Sequence, residues 1–379
     1  MKNFICIVVA LFAIISCTGR EFHEIESPVT DFSPSGLAKM FSQLPLDSGH
    51  LQEVFNAVGN SSGNGYDEEY TMGCLIESPG AGVGDSPQAK AKAAESIVTP
   101  LRELIRDYLA NAPLTRSQDT DALLKALART DFQLYWPYSE NWDGETFPII
   151  TFDPGYATET NYGYRIRLDG NGLRVVDSVF VDEALAAREP VWVFNSNADA
   201  SLTPLRPVEA GSNAKASIAP LARSRRLLMK TFMMKRQFDS WFGGASEFNI
   251  KCGSVEGFNA TTDAELKMFY PSVTDFTIVV KRKYCNKELP YEAILVGDLT
   301  SQMDKLVFMV TEDDGGTRTS WKCDAVVKIQ SKAYGFSVDL PYNERDDIVW
   351  RGQLSAHTFE EADFITGRFG DVIITFELE

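Results

Sequence analysis

The chain has 379 residues, with 36 Lys and Arg against 53 Asp and Glu, a net charge of −17 at neutral pH. So acidic a polypeptide repels bare nucleic acid, which excludes DNA and RNA as partners. An apolar fraction of 44% is ordinary for a globular protein, and the length gives room for two or three domains.

The first 22 residues read MKNFICIVVALFAIISCTGREF. Lys2 is the only charge before Cys17, and Phe4 to Ile15 form an almost wholly apolar run of twelve. That is the length of a secretory signal core, and it falls short of the roughly 20 residues a membrane span needs. No later apolar run is long enough to span either. Ile14-Ile15-Ser16-Cys17 resembles the lipobox of bacterial lipoproteins. The resemblance implies cleavage after Ser16, diacylation of the Cys17 sulfur and a membrane-anchored place in the bacterial cell envelope, at the outer membrane. Two acyl chains suffice for stable anchoring, at about 0.8 kcal/mol per buried methylene. The competing reading is an ordinary secretory signal with a chance cysteine. Loss of residues 1–16 leaves 363 residues and, without Lys2, a charge of −18.

Of six Cys, Cys6 leaves with the signal and Cys17 takes the lipid. Cys74, Cys252, Cys285 and Cys323 remain. Export permits pairing, but no CxxC spacing points to a zinc or redox site. A disulfide and buried free thiols stay open alternatives.

Residues 17–35 read as a lipidated tether, and residues 36–198 as an α+β domain with helices first and a mostly antiparallel sheet after. Two short helices are expected in SPSGLAKMFSQL and SGHLQEVFNAV, the second from Leu51, Val54, Phe55 and Val58. GNSSGNGYDEEY reads as a loop and MGCLIESPG as a short strand or irregular piece. A helix broken at Pro100 and another capped by Asp119 or Thr120 follow. FQLYWPY, FPIITFDP, YRIRL, LRVVDSVFV and PVWVFN read as strands, and DGNG over 169–172 reads as a hairpin turn.

Residues 199–244 read as a linker and a connecting helix, ARSRRLLMKTFMMKRQFDSWF. The helix carries Arg223, Arg225, Arg226, Lys230, Lys235 and Arg236 against Asp239 alone. Its apolar residues crowd more than one face. Burial between the domains, with the cations paired to the chain's own carboxylates, is therefore preferred over contact with anionic lipid. Residues 245–379 read as a β-sandwich of about eight strands with turn signals between them.

Four groups of residues carry chemistry. Tyr135, Trp136, Tyr138 and Trp142 in YWPYSENW could stack on a glycan or contact a peptide, or fill a core. In VTEDDGGTRTSWKCD the C-terminal part resembles the calcium- and lipid-binding β-sandwich of kinase C and synaptotagmin. That resemblance implies Glu312 and Asp314 as a ligand pair for Ca²⁺, with Asp324 the later ligand and Asp346 and Asp347 from a separate loop. Glu stands where the family has Asp, and Asp314-Gly315-Gly316 is also ordinary turn chemistry. Glu68 and Glu69 could serve as an acid/base pair, and His357 is the one His in a probable domain core. HExxH, GxSxG and P-loop motifs are absent from the sequence. The expected role is a binding or interaction module at the envelope with a glycan or protein partner. An assembly component and a hydrolase are the alternatives.

Labelled palmitate should enter the wild-type chain in cells and fail to enter Cys17→Ala. Equal labelling of the two would remove the lipid anchor.

Overall fold

The structure, a computed structural model, describes residues 32–77, 100–111, 119–155, 158–168, 173–196, 203–208, 225–362 and 364–379. The signal, Cys17, almost all of the tether, the hairpin turn at 169–172, and Arg223 lie outside them.

The N-terminal half is α+β. Its helices are α1 (Pro34–Gln43), α2 (Ser48–Gly63), α3 (Met72–Ile76), α4 (Pro100–Asn111), α5 (Thr120–Ala128) and α6 (Glu183–Ala186). Several starts are set locally, whereas α4 begins with the Leu101 N–H donating to Glu53 Oε2 of α2 at 3.0 Å. The Gly36 N–H donates to Ser33 Oγ at 3.1 Å with Pro34 opening α1. Asp47 and His50 cap α2 reciprocally, and Asp119 caps α5. α2 runs through Gly59 to Gly63, so the expected loop begins later than the glycines suggest. The MGCLI segment is helical because Thr71 caps it, the Cys74 N–H donating to Thr71 Oγ1 at 3.2 Å.

The strands of this half are β1 (Glu69–Thr71), β2 (Phe132–Tyr135), β3 (Ile149–Phe152), β4 (Thr160–Leu168), β5 (Arg174–Asp182) and β6 (Val191–Ser196). They form one sheet in the order β1-β2-β6-β3-β4-β5. Neighbours are antiparallel except β3 and β6. Helices α1 to α5 cover one face, where Leu37, Phe41, Val54 and Leu127 pack with Trp136, Trp192 and Phe194, while Ala186 of α6 joins the other face. The other face holds Tyr135, Ile149, Val181 and Val193, and it is closed by Trp241 and Phe242 from beyond residue 225.

The remaining strands are β7 (Arg225–Met234), β8 (Ser246–Ser254), β9 (Ser272–Val280), β10 (Leu289–Leu299), β11 (Met303–Glu312), β12 (Arg318–Ile329), β13 (Lys332–Asn343), β14 (Asp347–Ser355), β15 (Phe364–Phe369) and β16 (Val372–Leu378). One sheet has the order β10-β7-β16-β15. The other has β13-β12-β11-β8-β9, with β14 also paired to β11. They enclose one sandwich-like core in which Phe232 meets Phe248 at 4.9 Å and Phe308 meets Phe376 at 5.7 Å. Cys74, Cys252, Cys285 and Cys323 are free thiols.

The expected connecting helix is a strand. β7 is central in its sheet, paired to β10 on one side and β16 on the other. Both pairings shift register next to Lys230, so the period-2 alternation of a strand breaks there. Leu227, Leu228 and Met229 are buried in succession, which in the sequence resembles a helix apolar on several sides. The cations do pair with the chain's own carboxylates: Arg225 with Glu360 and Arg226 with Glu379, each at 2.6 Å. Lys230 joins Glu292 and Glu377, and Arg236 joins Asp371 and Asp347. Of the expected linker, residues 203–208 run along the sandwich. The Leu205 N–H donates to Thr277 O at 2.7 Å and the Val208 N–H to Pro290 O at 2.9 Å.

Phe232 is fully buried on β7. Phe232→Ala should cost about 3–5 kcal/mol of stability in urea unfolding, whereas a solvent-facing residue would cost almost nothing.

Candidate functional site

The two halves meet at a seam of charge. A tight turn after β9 carries Lys281, Arg282 and Lys283, and all three side chains reach into the α+β half. Lys283 Nζ donates to Glu68 Oε1 and to Glu140 Oε1, both at 2.7 Å. Arg282 holds Glu183 with two nitrogens, at 2.9 and 3.1 Å, and Tyr138 Oη donates to the same carboxylate at 3.0 Å. Lys281 donates to Ser62 Oγ. On the other side, the buried Asp67 accepts the Ala245 N–H at 2.9 Å. Gly244 approaches so closely, at φ +110°, that a Cβ there would lie 2.7 Å from Asp67 Oδ2.

Burial dominates the electrostatics of the seam. It pushes the Asp67 carboxyl up, and burial with the Asp67 charge pushes Glu68 up. Burial pulls the Lys281 ammonium down. Burial would also lower Lys283, but its hydrogen bonds to Glu140 and Glu68 outweigh that and hold it up. The two directions agree physically, because Lys283 has two carboxylates while Glu68 shares one ammonium and faces a second acid. Tyr138 is pushed up to about 12 by burial and then by Glu183. Glu68, Tyr135, Pro137, Tyr138 and the three cations line a shallow groove with a cavity volume of only about 10 Å³, far below the roughly 300–1,000 Å³ of small-molecule sites.

The aromatic stretch is mostly core. Trp136 is 0% exposed and stacks edge-on with Trp192, Trp142 and Phe55. Tyr135 is buried on the opposite face of the sheet. Tyr138 and Trp142 are half-buried, and the Trp142 indole N–H donates to Thr146 O at 2.9 Å. The core alternative describes Tyr135, the last residue of β2, and Trp136, the residue after it: they turn to opposite faces of the sheet, and both faces are covered.

The acidic turn divides. Glu312, at the end of β11, is 1% exposed. Its carboxylate meets those of Asp239 and Glu247, with one oxygen of each within 4.8 Å of the others. Burial first, and then the neighbouring Asp239, push the Glu312 carboxyl up to about 11, with smaller contributions from Asp314 and Asp347. Asp324 is elsewhere. It lies opposite Ser337 on β12, and its carbonyl accepts from Gln353, whose Cα partner is Val307. Val307 is five residues before Glu312 on β11, about 17 Å at strand rise. The set Glu312, Asp314 and Asp324 does not converge, because β12 diverges from β11 after pairing at Met303 and Lys305. Asp346 accepts the Asn343 N–H at 2.8 Å, and Asp347 pairs with Arg236 at 3.3 Å.

Of the residues considered for catalysis, Glu68 belongs to the seam. Glu69 is on β1, where strand alternation turns it away from Glu68. His357 is half-exposed beside Glu360 at 3.3 Å and Asp304 at 3.6 Å. The sequence reading missed the Lys281-Arg282-Lys283 run. Its signal was three cations directly after a strand in a chain of strong negative charge. No protein-family model matches the chain, and no curated protein or solved structure matches it either.

Lys283→Met leaves Glu68 buried beside Asp67. It should cost about 2–3 kcal/mol in urea unfolding, below the roughly 3–5 of a fully buried pair because Lys283 keeps some contact with water. Adding Glu68→Gln should recover part of that loss. A strictly additive double-mutant cycle would show that the pair does not join the halves.

Proposed function

We propose that the chain is an exported bacterial lipoprotein, held at the outer membrane through Cys17, whose ectodomain is a binding module for a partner protein. The anchor rests on the lipobox-like Ile14-Ile15-Ser16-Cys17. The binding role rests on one surface. Among the described residues, five of the eleven exposed large apolar side chains belong to the β4–β5 ribbon or flank its tip: Tyr162, Leu168, Leu173, Val176 and Phe180. Tyr162 is 65% and Phe180 50% exposed, and their rings meet edge-on at 5.9 Å across the pair. Large apolar groups clustered on one surface mark an interaction site.

Fold position adds a mode. β5 is the last strand of its sheet, and its nine residues leave one row of backbone donors and acceptors without a strand partner among the described residues. An extended segment of a partner protein could add to that edge, with alternating side chains set against Val176 and Phe180. A protein partner is favoured over a glycan because the aromatic stretch lies largely in the core. It is favoured over hydrolysis because Glu68 is engaged by Lys283 beside a groove of only about 10 Å³.

A photo-crosslinking residue placed at Phe180 of the full-length lipoprotein in cells should give one discrete protein adduct. The same group at exposed Arg351 on β14 should give none, and Tyr162→Ser should weaken the first adduct without lowering thermal stability. Equal crosslinking at both positions, or none at Phe180, would overturn the binding surface.

A further inference from the structure

Three carboxylates meet where the sandwich joins the seam, and they come from three separate segments. Asp239 lies in the connector after β7, Glu247 near the start of β8, and Glu312 at the end of β11. Local charge patterning cannot account for this, since 65 residues separate Glu247 from Glu312. The fold brings them together because the β8 and β11 ends pair, Glu312 against Phe248, with the Asp313 N–H donating to Glu247 O at 2.9 Å.

A second observation points into the cluster. Glu312 is 1% exposed, and its Oε1 has no hydrogen-bond partner. Asp239 Oδ2 is buried without a partner as well. A buried carboxylate oxygen left unsatisfied is costly, and proteins normally give it a donor or a cation. The Arg282 guanidinium, whose charge reaches Asp239, is committed to the Asp239 backbone carbonyl at 2.8 Å and to Glu183. A proton shared between Asp239 and Glu312 would neutralise one of three acids, and Asp314 and Asp347 add to the negative field.

We propose that Asp239, Glu247 and Glu312 hold a divalent cation, and that this ion pins the connector after β7 to the end of β11. The donor set is oxygen alone, which selects a hard ion over zinc or copper. Ca²⁺ is the fitting member. It takes oxygens at about 2.3–2.6 Å in flexible geometry, so two of its ligands can stand up to ~5 Å apart, and the cluster lies within 4.8 Å. Main-chain carbonyls and water would complete six to eight ligands. The ion is structural, because its ligands come from the joint between the halves and none lies in the groove of the seam.

The test uses the full-length protein in detergent after treatment with a chelator, and the probe is CaCl₂ alone. Ca²⁺ at about one hundred times its Kd should raise the melting temperature by about 5 °C. Tb³⁺ should bind with luminescence sensitised by Trp241, two residues beyond Asp239, and Ca²⁺ should quench it by competition. Glu312→Gln and Glu247→Gln should each abolish both signals, and Asp324→Asn should keep them. If Glu312→Gln does not fold, Glu247→Gln and Asp239→Asn decide. The site is overturned if wild type ignores both ions, or if the responses survive in Glu247→Gln and Asp239→Asn. It is equally overturned if Glu312→Gln melts higher than wild type without Ca²⁺ and wild type shows no response to it, which identifies a shared proton.

Discussion

The arrangement of the two halves depends on burying charge in pairs. Lys281, Arg282 and Lys283 leave β9 and enter a pocket of acids, Asp67, Glu68, Glu140 and Glu183, on the opposite half. Arg282 and Lys283 bear a desolvation cost that their carboxylate partners offset, so the halves can sit in one register and few others. Around that seam the apolar contacts are shared: Trp241 and Phe242 leave the sandwich sequence and close the open face of the N-terminal sheet. The Trp241 indole N–H donates to Glu159 O at 2.9 Å, and Asn195 Nδ2 donates to the Phe242 and Gly243 carbonyls. Charge sets the register, and the two aromatics supply area.

This coupling explains which parts of the fold were legible. Helix caps at Ser33, Asp47 and Asp119 act within three residues, and runs such as PVWVFN show their burial in their own composition. Both kinds of signal are local, so the order of helices, sheet and sandwich could be read. β7 could not. Its state is decided by β10, some sixty residues on, and by β16, more than a hundred and forty on, and its irregular register at Lys230 removes the alternation that would have betrayed a strand. The same residues gave the right electrostatic answer, since pairing to internal carboxylates follows from the acidic excess whichever backbone state carries the cations.

The candidate sites divide along the same line. Aromatics in YWPYSENW are informative about packing but ambiguous about side, because consecutive residues on β2 point to opposite faces and both faces are covered. Glu312 was singled out through the resemblance carried by VTEDDGGTRTSWKCD. Its partners were not, because Asp239 and Glu247 are brought to it by strand pairing over more than sixty residues, while the nearer Asp324 is carried off by the β12–β13 ribbon. The resemblance placed Asp324 with Glu312, and the fold separates the two.

Rigidity gives the proposed role its physical sense. The proposed lipid anchor would give such a module effective concentration at the membrane but little orientation. Orientation has to come from within the body. In this chain the connector after β7 is held at its Asp239 carbonyl by Arg282, at Trp241 by Glu159 and at Ala245 by Asp67, so a contact on β5 is transmitted to the sandwich without a hinge at that connector. Binding energy gained at the exposed edge is then not spent on ordering the two halves. A flexible linker over the same residues would make them independent binders; fixed, they act as one body, with Tyr162 and Phe180 presented at its edge.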